Sequence, residues 1–198
     1  MTPAELLLEL SDQAHEPAET REPGPGAFAA LRSGDRACWE RFLRRMERRC
    51  LALAWRMLND PHLAADSVQE GFLKAYLNRS SMREDGREEQ WLLSIVANTA
   101  RDAARSAKRR PEQTDAELIT RSAVEPVPEV LLEEKLRLAL AALDEVSRVC
   151  FLLVHQEGFT YEQVAVEFGW PLGTVRSRLH RARLRLRELL KQEGGHGR

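Results

Sequence analysis

Apolar side chains recur every three or four positions over most of this chain, a spacing that predicts helices throughout. From Asp35, a residue suited to capping a helix, Trp39, Phe42, Leu43, Met46, Cys50, Leu53, Ala54 and Met57 fall on one face as far as about Leu58. Asn59, Asp60 and Pro61 break the run. The pattern resumes from His62 to Asn78 with Leu63, Val68, Phe72, Ala75 and Tyr76. A polar, irregular stretch from Asn78 to Gly86 precedes a third helix starting near Arg87. That helix carries Trp91, Leu92, Ile95, Val96 and Thr99 and has a basic end at Arg110, where Pro111 stops it. Further periodic segments cover 129–142, 145–157, 160–168 and 172–191, and strand-type alternation is essentially absent. The pattern therefore predicts an all-α protein of two small helical domains, 27–110 and 129–191. An extended, acidic, proline-bearing linker over 111–128 would join them. Residues 1–26, with Pro17, Pro23 and Pro25, and residues 192–198 are expected to be flexible ends.

The stretch from Thr160 to Arg183 carries the most specific signal. Thr160 and Gln163 have capping-box spacing, and Val164, Ala165 and Phe168 supply an inner side. Gly169 suits the tight turn that follows, Pro171 is placed to open the next helix, and Ala165 is small where two helices would cross. Val175 and Leu179 can pack inward. That leaves Arg176, Ser177, His180, Arg181 and Arg183 over the outer surface, the pattern of a DNA-binding helix-turn-helix.

The formal net charge of -1 hides a strong segregation. Residues 1–25 hold six acids against Arg21, and 112–134 hold seven against Arg121. By contrast, 172–191 carries seven bases against Glu188, and 101–110 carries five against Asp102. Two basic patches can thus meet phosphates, while the acidic stretches repel nonspecific DNA or engage a basic surface. Cys38, Cys50 and Cys150 lack zinc-ligand spacing and are read as buried structural thiols in a reducing cytoplasm. The five histidines form no metal pattern, and no phosphate loop, dinucleotide fingerprint or nucleophile elbow is present. Glu88 and Glu89 are adjacent and diverge on a helix, which makes them poor acid–base partners. Neither catalysis, a cofactor nor a metal is expected, and no segment has the length and apolarity of a membrane span.

The residues also carry a family resemblance. Leu143-Asp144-Glu145-Val146 and the run from Phe151 to Leu190, with Gly158-Phe159-Thr160-Tyr161-Glu162 and Gly173 to Leu179 inside it, resemble region four of bacterial RNA polymerase sigma factors. The similarity is to the extracytoplasmic function (ECF) group in particular. Asp66 to Tyr76 (DSVQEGFLKAY) and Trp91 to Asp102 (WLLSIVANTARD) resemble region two, so the likeness covers about 27–191 in the expected order. Two departures stand out. Asp144 occupies the place where family members usually have proline and can cap the helix instead, and the loop before Trp91 reads SSMREDGREEQ instead of being aromatic and weakly polar.

The resemblance implies a promoter-specificity factor that binds core RNA polymerase and promoter DNA. It implies polymerase docking through Asp66, Gln69, Glu70 and Lys74. It implies capture of the -10 element by the loop around 78–90 and the following helix, with Asn98, Arg101, Arg105, Lys108, Arg109 and Arg110. It also implies -35 recognition in the major groove through Arg176, Ser177, His180 and Arg181, flanked by Arg183 and Arg185. Trp91 is expected in the core, and Phe168 and Trp170 in the packing of the turn. An anti-sigma protein at the membrane is a further implied partner, covering the polymerase face or clamping the domains together. The competing readings are a stand-alone helix-turn-helix regulator, disfavoured by the two region-two motifs, and an adaptor that occupies polymerase without initiating.

Overall fold

The computed structural model of the chain describes residues 27–83, 86–109 and 128–192, and these are helical with no strand among them. The extension 1–26, Arg110, positions 111–127 of the expected linker and the tail from 193 lie outside the described residues. The first block contains α1 (Ala27–Ser33), α2 (Arg36–Leu58), α3 (Pro61–Leu77), a single 3-10 turn (Arg79–Ser81) and α4 (Glu88–Arg109). The second contains α5 (Pro128–Ala141), α6 (Glu145–Phe151) running into a π-type turn (Leu152–Gln156), α7 (Tyr161–Phe168) and α8 (Leu172–Gln192).

Local chemistry sets the helix ends. The Asp35 carboxylate accepts from Cys38 N at 2.7 Å and starts α2. Asn59 ends it in the left-handed region at φ 56°. Asp60 then accepts from His62 N and Leu63 N, and Pro61 occupies the first turn of α3, so the triplet that breaks one helix also launches the next. Glu88 and Glu89 belong to the first turn of α4, where carboxylates meet the positive end of the helix dipole.

In the first block α2, α3 and α4 pack around Met46, Leu53, Leu92, Leu93 and Val96, each 2% exposed or less. Full burial of such side chains is worth about 1.5–3 kcal/mol apiece. Gly71 lets α3 and α4 approach closely: a Cβ built there would lie 2.9 Å from Val96 Cγ2 and 3.2 Å from its Cα. The second block closes on Val149, Leu152, Leu153, Val164, Val175, Leu179 and Leu186.

The buried apolar side chains of both blocks belong to one cluster, because the blocks are docked. Arg148 of α6 joins them at two helix ends. Its Nη1 donates to Met57 O of α2 at 2.6 Å, and its Nη2 donates to Ala141 O and Leu143 O at 2.8 and 3.0 Å. It thereby serves carbonyls near the C-termini of α2 and α5 that their own helices leave without partners. Burial pulls its guanidinium below its ordinary pKa, against the pull of Glu145 and Asp144. Arg49 of α2 reaches Glu157 at 2.6 Å and Glu89 at 2.9 Å, and the Glu157 side chain is only 1% exposed. Arg137 donates to Asn59 Oδ1 across the same seam. Cys38, Cys50 and Cys150 are buried free thiols, and burial pushes Cys50 and Cys150 up to about 12.

Candidate nucleic-acid interface

The second block presents the helix-turn-helix. Thr160 Oγ1 accepts from Gln163 N at 3.1 Å, and Gln163 Oε1 accepts from Thr160 N at 2.7 Å, which completes the capping box of α7. Gly169 turns the chain at φ 62°, a conformation that side-chain-bearing residues rarely adopt, and Trp170 N donates to Ala165 O at 2.9 Å. Val175, Leu179, Ala182 and Leu186 form the buried stripe of α8. Its opposite side exposes Arg176, Ser177, His180, Arg181 and Arg185. Arg176 lies 3.8 Å from Glu162 and Arg185 3.3 Å from Glu188, both solvent-exposed pairs that compete weakly with a phosphate or base.

Arg183 is placed differently. Its guanidinium donates to His155 Nε2 at 3.1 Å and Tyr161 Oη at 2.9 Å, so it ties α8 to the rest of its own block. Arg178 likewise turns to Asp144 at 3.0 Å. Asp144 caps α6 by accepting from Ser147 N at 3.1 Å and Ser147 Oγ at 2.6 Å. Partial burial works to raise its pKa, but the Ser147 hydrogen bonds and the Arg178 cation prevail and hold it below its ordinary value.

On α4 the expected -10 residues line up. Asn98, Arg101, Arg105 and Lys108 follow i, i+3, i+7, i+10 spacing and share one stripe. That stripe faces the second block. Asn98 Nδ2 donates to Glu167 O at 3.4 Å. The Arg101 guanidinium sits over the Phe168 and Trp170 rings, 5.2 and 5.5 Å from their centroids. Those rings stack at 5.0 Å and 30°. Arg105 and Lys108 each lie 3.5 Å from a Glu145 oxygen. Arg109 is exposed beyond the stripe, donating to Arg105 O at 3.3 Å. Phe168 and Trp170 do pack at the turn, as expected, and they also serve as a platform for Arg101. Trp91 is only half-buried; with Arg83, Arg87, Gln90, Phe159 and Gln163 it lines a cleft of about 470 Å³ between the blocks.

The expected polymerase-docking residues lie on the outer side of α3. Asp66, Gln69 and Glu70 are exposed, and Lys74 pairs with Glu70 at 2.7 Å while reaching Thr99 Oγ1 at 3.4 Å. Sequence reasoning missed two neighbours, Leu73 and Leu77, which are 59% and 65% exposed. With Asp66 and Glu70 they complete an i, i+4, i+7, i+11 stripe opposite the buried Ala64, Ser67, Val68, Gly71 and Ala75. That spacing was available as a signal. Tyr76, expected in the packing set, is 38% exposed and meets Trp39 edge-on at 5.5 Å. Among the described residues no cluster of His, Cys, Asp or Glu could hold a metal ion, and no helix is long and apolar enough to cross a membrane.

Comparison with known proteins gives this geometry a context. Residues 42–110 match the Sigma-70 region 2 family and residues 133–186 match Sigma-70 region 4. The ECF RNA polymerase sigma factor SigE of Mycolicibacterium smegmatis is 33% identical over 176 residues, covering 84% of this chain and 67% of that protein. The ECF RNA polymerase sigma-E factor of Escherichia coli is 36% identical over 131 residues, 60% of this chain and 69% of that one. Among solved structures, the sigma factor RpoE of Bartonella quintana in complex with the anti-sigma factor NepR has a TM-score of 0.63 at 29% identity. That match covers 77% of this chain and 96% of that one.

Proposed function

This chain belongs to the ECF RNA polymerase sigma factors, and from that premise we propose how its surfaces divide the work of promoter recognition. The stripe of Asp66, Gln69, Glu70, Leu73 and Leu77 on α3 docks on core RNA polymerase. Its exposed leucines supply the desolvated centre that interface affinity needs, and the polar residues fix its orientation. The stripe of α4, from Asn98 to Lys108, binds the opened -10 strand. Its cations hold phosphates without reading sequence, while Asn98 can address a base edge. Helix α8 enters the major groove of the -35 element. There Arg176 and Arg181 contact base edges, and Ser177, His180 and Arg185 add base or backbone contacts. Arg183 keeps α8 in position.

The observation that carries this reading is the two-sided α8: one stripe fully buried, the other an exposed row of cations and polar groups held by a complete helix-turn-helix. The chain itself performs no chemistry; it lends promoter choice to the polymerase in the cytoplasm. An anti-sigma protein sequesters it, a reading supported by its likeness to a sigma factor solved with one. Runoff transcription with purified core polymerase on promoter fragments tests the whole assignment. Template-dependent initiation that requires this chain is expected. Polymerase binding without any runoff would mark a non-initiating adaptor, and DNA binding without polymerase binding a stand-alone regulator.

A further inference from the structure

Outside the surfaces assigned so far, cations concentrate on α2, which holds seven arginines against Glu40 and Glu47. Four of the seven serve the fold. Arg36 pairs with Glu40 at 2.9 Å, Arg45 with Glu89 at 3.0 Å, and Arg49 with Glu89 and Glu157, while Arg56 adds to the positive field on Glu157. The other three, Arg41, Arg44 and Arg48, are exposed and make no ion pair or side-chain hydrogen bond among the described residues. They recur at i, i+3 and i+7, on the side of α2 opposite its buried Trp39, Met46, Leu53 and Met57. Ala37 and Ala52 flank them on that side, and Trp55, 44% exposed, lies at its far end. Glu47 is exposed nearby and pairs with none of the three. Like charges one turn apart work against a helix, so the row costs α2 stability instead of adding to it.

We propose that Arg41, Arg44 and Arg48 form a third contact with DNA, a sequence-independent grip on the phosphates of duplex promoter DNA. The proposal rests on the reading of the chain as a promoter-specificity factor and adds a surface that neither the -10 nor the -35 assignment uses. Residue type selects the ligand: guanidinium forks match phosphate oxygens, and every member of the row is an arginine. An acidic protein partner would need an apolar centre to supply affinity, and the row has none between Ala37 and Ala52. A single strand would need aromatic platforms among the cations, but Trp55 stands about 10 Å beyond Arg48 along the helix axis. Placement agrees. Arg45, at the edge of the row, meets Glu89 in the first turn of α4, so the row borders the amino end of the helix assigned to the opened strand. The docking stripe of α3 faces away from the same core on another helix, which lets one chain hold polymerase and this backbone together.

The test compares polymerase holoenzyme made with the wild-type chain and with the triple variant Arg41→Gln, Arg44→Gln, Arg48→Gln. Each binds a labelled promoter duplex over a series of salt concentrations. Glutamine is a good helix former, so the exposed face of α2 should tolerate it. Each lost phosphate contact should flatten the plot of log affinity against log salt by about 0.9, and the triple variant by about 2.7. The same flattening is expected on a duplex with a scrambled -35 element, because phosphates carry no sequence information. Arg36→Gln, whose arginine is paired with Glu40 off the row, should leave the slope unchanged. Should the triple variant lose helicity, the three single variants carry the measurement, each with a change of about 0.9. An unchanged slope in the triple variant overturns the contact and leaves a solvated helix face. Weaker binding to core polymerase with an unchanged slope overturns it in favour of an acidic protein partner. Runoff transcription by the wild type keeps the two claims apart. Runoff with equal slopes removes the arginine row and leaves the promoter assignment, whereas absence of runoff removes the assignment and the promoter role of the row with it.

Discussion

Helices α4 and α8 look alike as sequence: each has an apolar stripe, a row of arginines and a basic C-terminal half. In the folded chain they differ sharply. The basic residues on the outer side of α8 are exposed and loosely paired, while Arg101, Arg105 and Lys108 of α4 are occupied by Phe168, Trp170 and Glu145, and Asn98 beside them by the Glu167 carbonyl. The same chemistry yields an open surface in one block and a covered one in the other, because only α4 has a complementary acidic and aromatic surface folded against it. Charge pattern identifies what a helix can bind; tertiary context decides when.

The largest expected effect lies on neither of these helices but on the docking stripe that brings both to a promoter. Replacing Leu73 and Leu77 together by aspartate should weaken binding to core polymerase by about 2 kcal/mol or more, the scale of an interface hot spot. Thermal stability should change little, because both side chains are already in solvent. Affinity by titration of labelled chain against core, with a melting curve beside it, checks this. Unchanged affinity would remove α3 as the docking face, and a large drop in melting temperature would make the leucines structural.

Next come the exposed arginines of α8. Arg176→Ala and Arg181→Ala should each cost about 1–3 kcal/mol of discrimination between a cognate and a scrambled -35 duplex at one fixed salt concentration. Arg185→Ala should lower both affinities alike, since a phosphate contact carries little base information. Arg183→Ala should act first on stability, because its partners His155 and Tyr161 are within the protein. Equal losses on both duplexes for Arg176→Ala and Arg181→Ala would reject their reading of bases.

Much of this was legible in the sequence, and the pattern of what was not is instructive. The caps at Asp35, Asp144 and Thr160 could be read because capping involves residues three apart. The inward Val175 and Leu179 followed from helical period. Arg183 escaped: it flanks the buried Ala182, and its long side chain bends inward to reach groups 28 and 22 positions away. The pairing of Arg49 with Glu157 spans 108 positions and leaves no local trace. Pro61 was taken only as a stop, although with Asp60 before it it also opens α3. Local chemistry is written in short spacings, whereas the docking of the blocks depends on surfaces that no periodicity brings together.

A packing comparison between the same regions comes next. Gly71→Ala should destabilise the first block by about 1–2 kcal/mol, because the new methyl meets the Val96 backbone as well as its side chain and neither can move freely. Gly173→Ala in α8 has open space around the new carbon and should stabilise the second block by about 0.4–1 kcal/mol. Denaturant unfolding with equal slopes reads both. A neutral Gly71→Ala would mean that α3 and α4 separate easily, against the close approach described above.

The smallest effects are pH-dependent and have opposite signs in two acids of the second block. Asp144 is depressed by its Ser147 and Arg178 partners despite partial burial, so its contribution to stability is present above the unfolded carboxylate pKa and is lost as pH falls through its lowered value. Asp144→Ala should cost about 1 kcal/mol near neutrality, the worth of a helix cap, and the gap from wild type should close in acid. Glu157 is raised, because burial outweighs the opposing pull of Arg49 and Arg56. Its contribution is fully present below the unfolded value and is lost as pH rises through the raised one. Glu157→Gln keeps an acceptor for Arg49 and removes the buried charge. Relative to wild type it should therefore gain stability as pH rises from the carboxylate range toward neutrality, the reverse in sign of Asp144→Ala, which falls behind at lower pH, between the lowered Asp144 value and the ordinary carboxylate one, and then keeps a constant gap. Unfolding curves at a series of pH values in one salt concentration separate the two trends. If Glu157→Gln instead lost ground as pH rose, the Arg49 pairing would have overcome burial at Glu157, and the seam would be held by that charge rather than merely tolerating it.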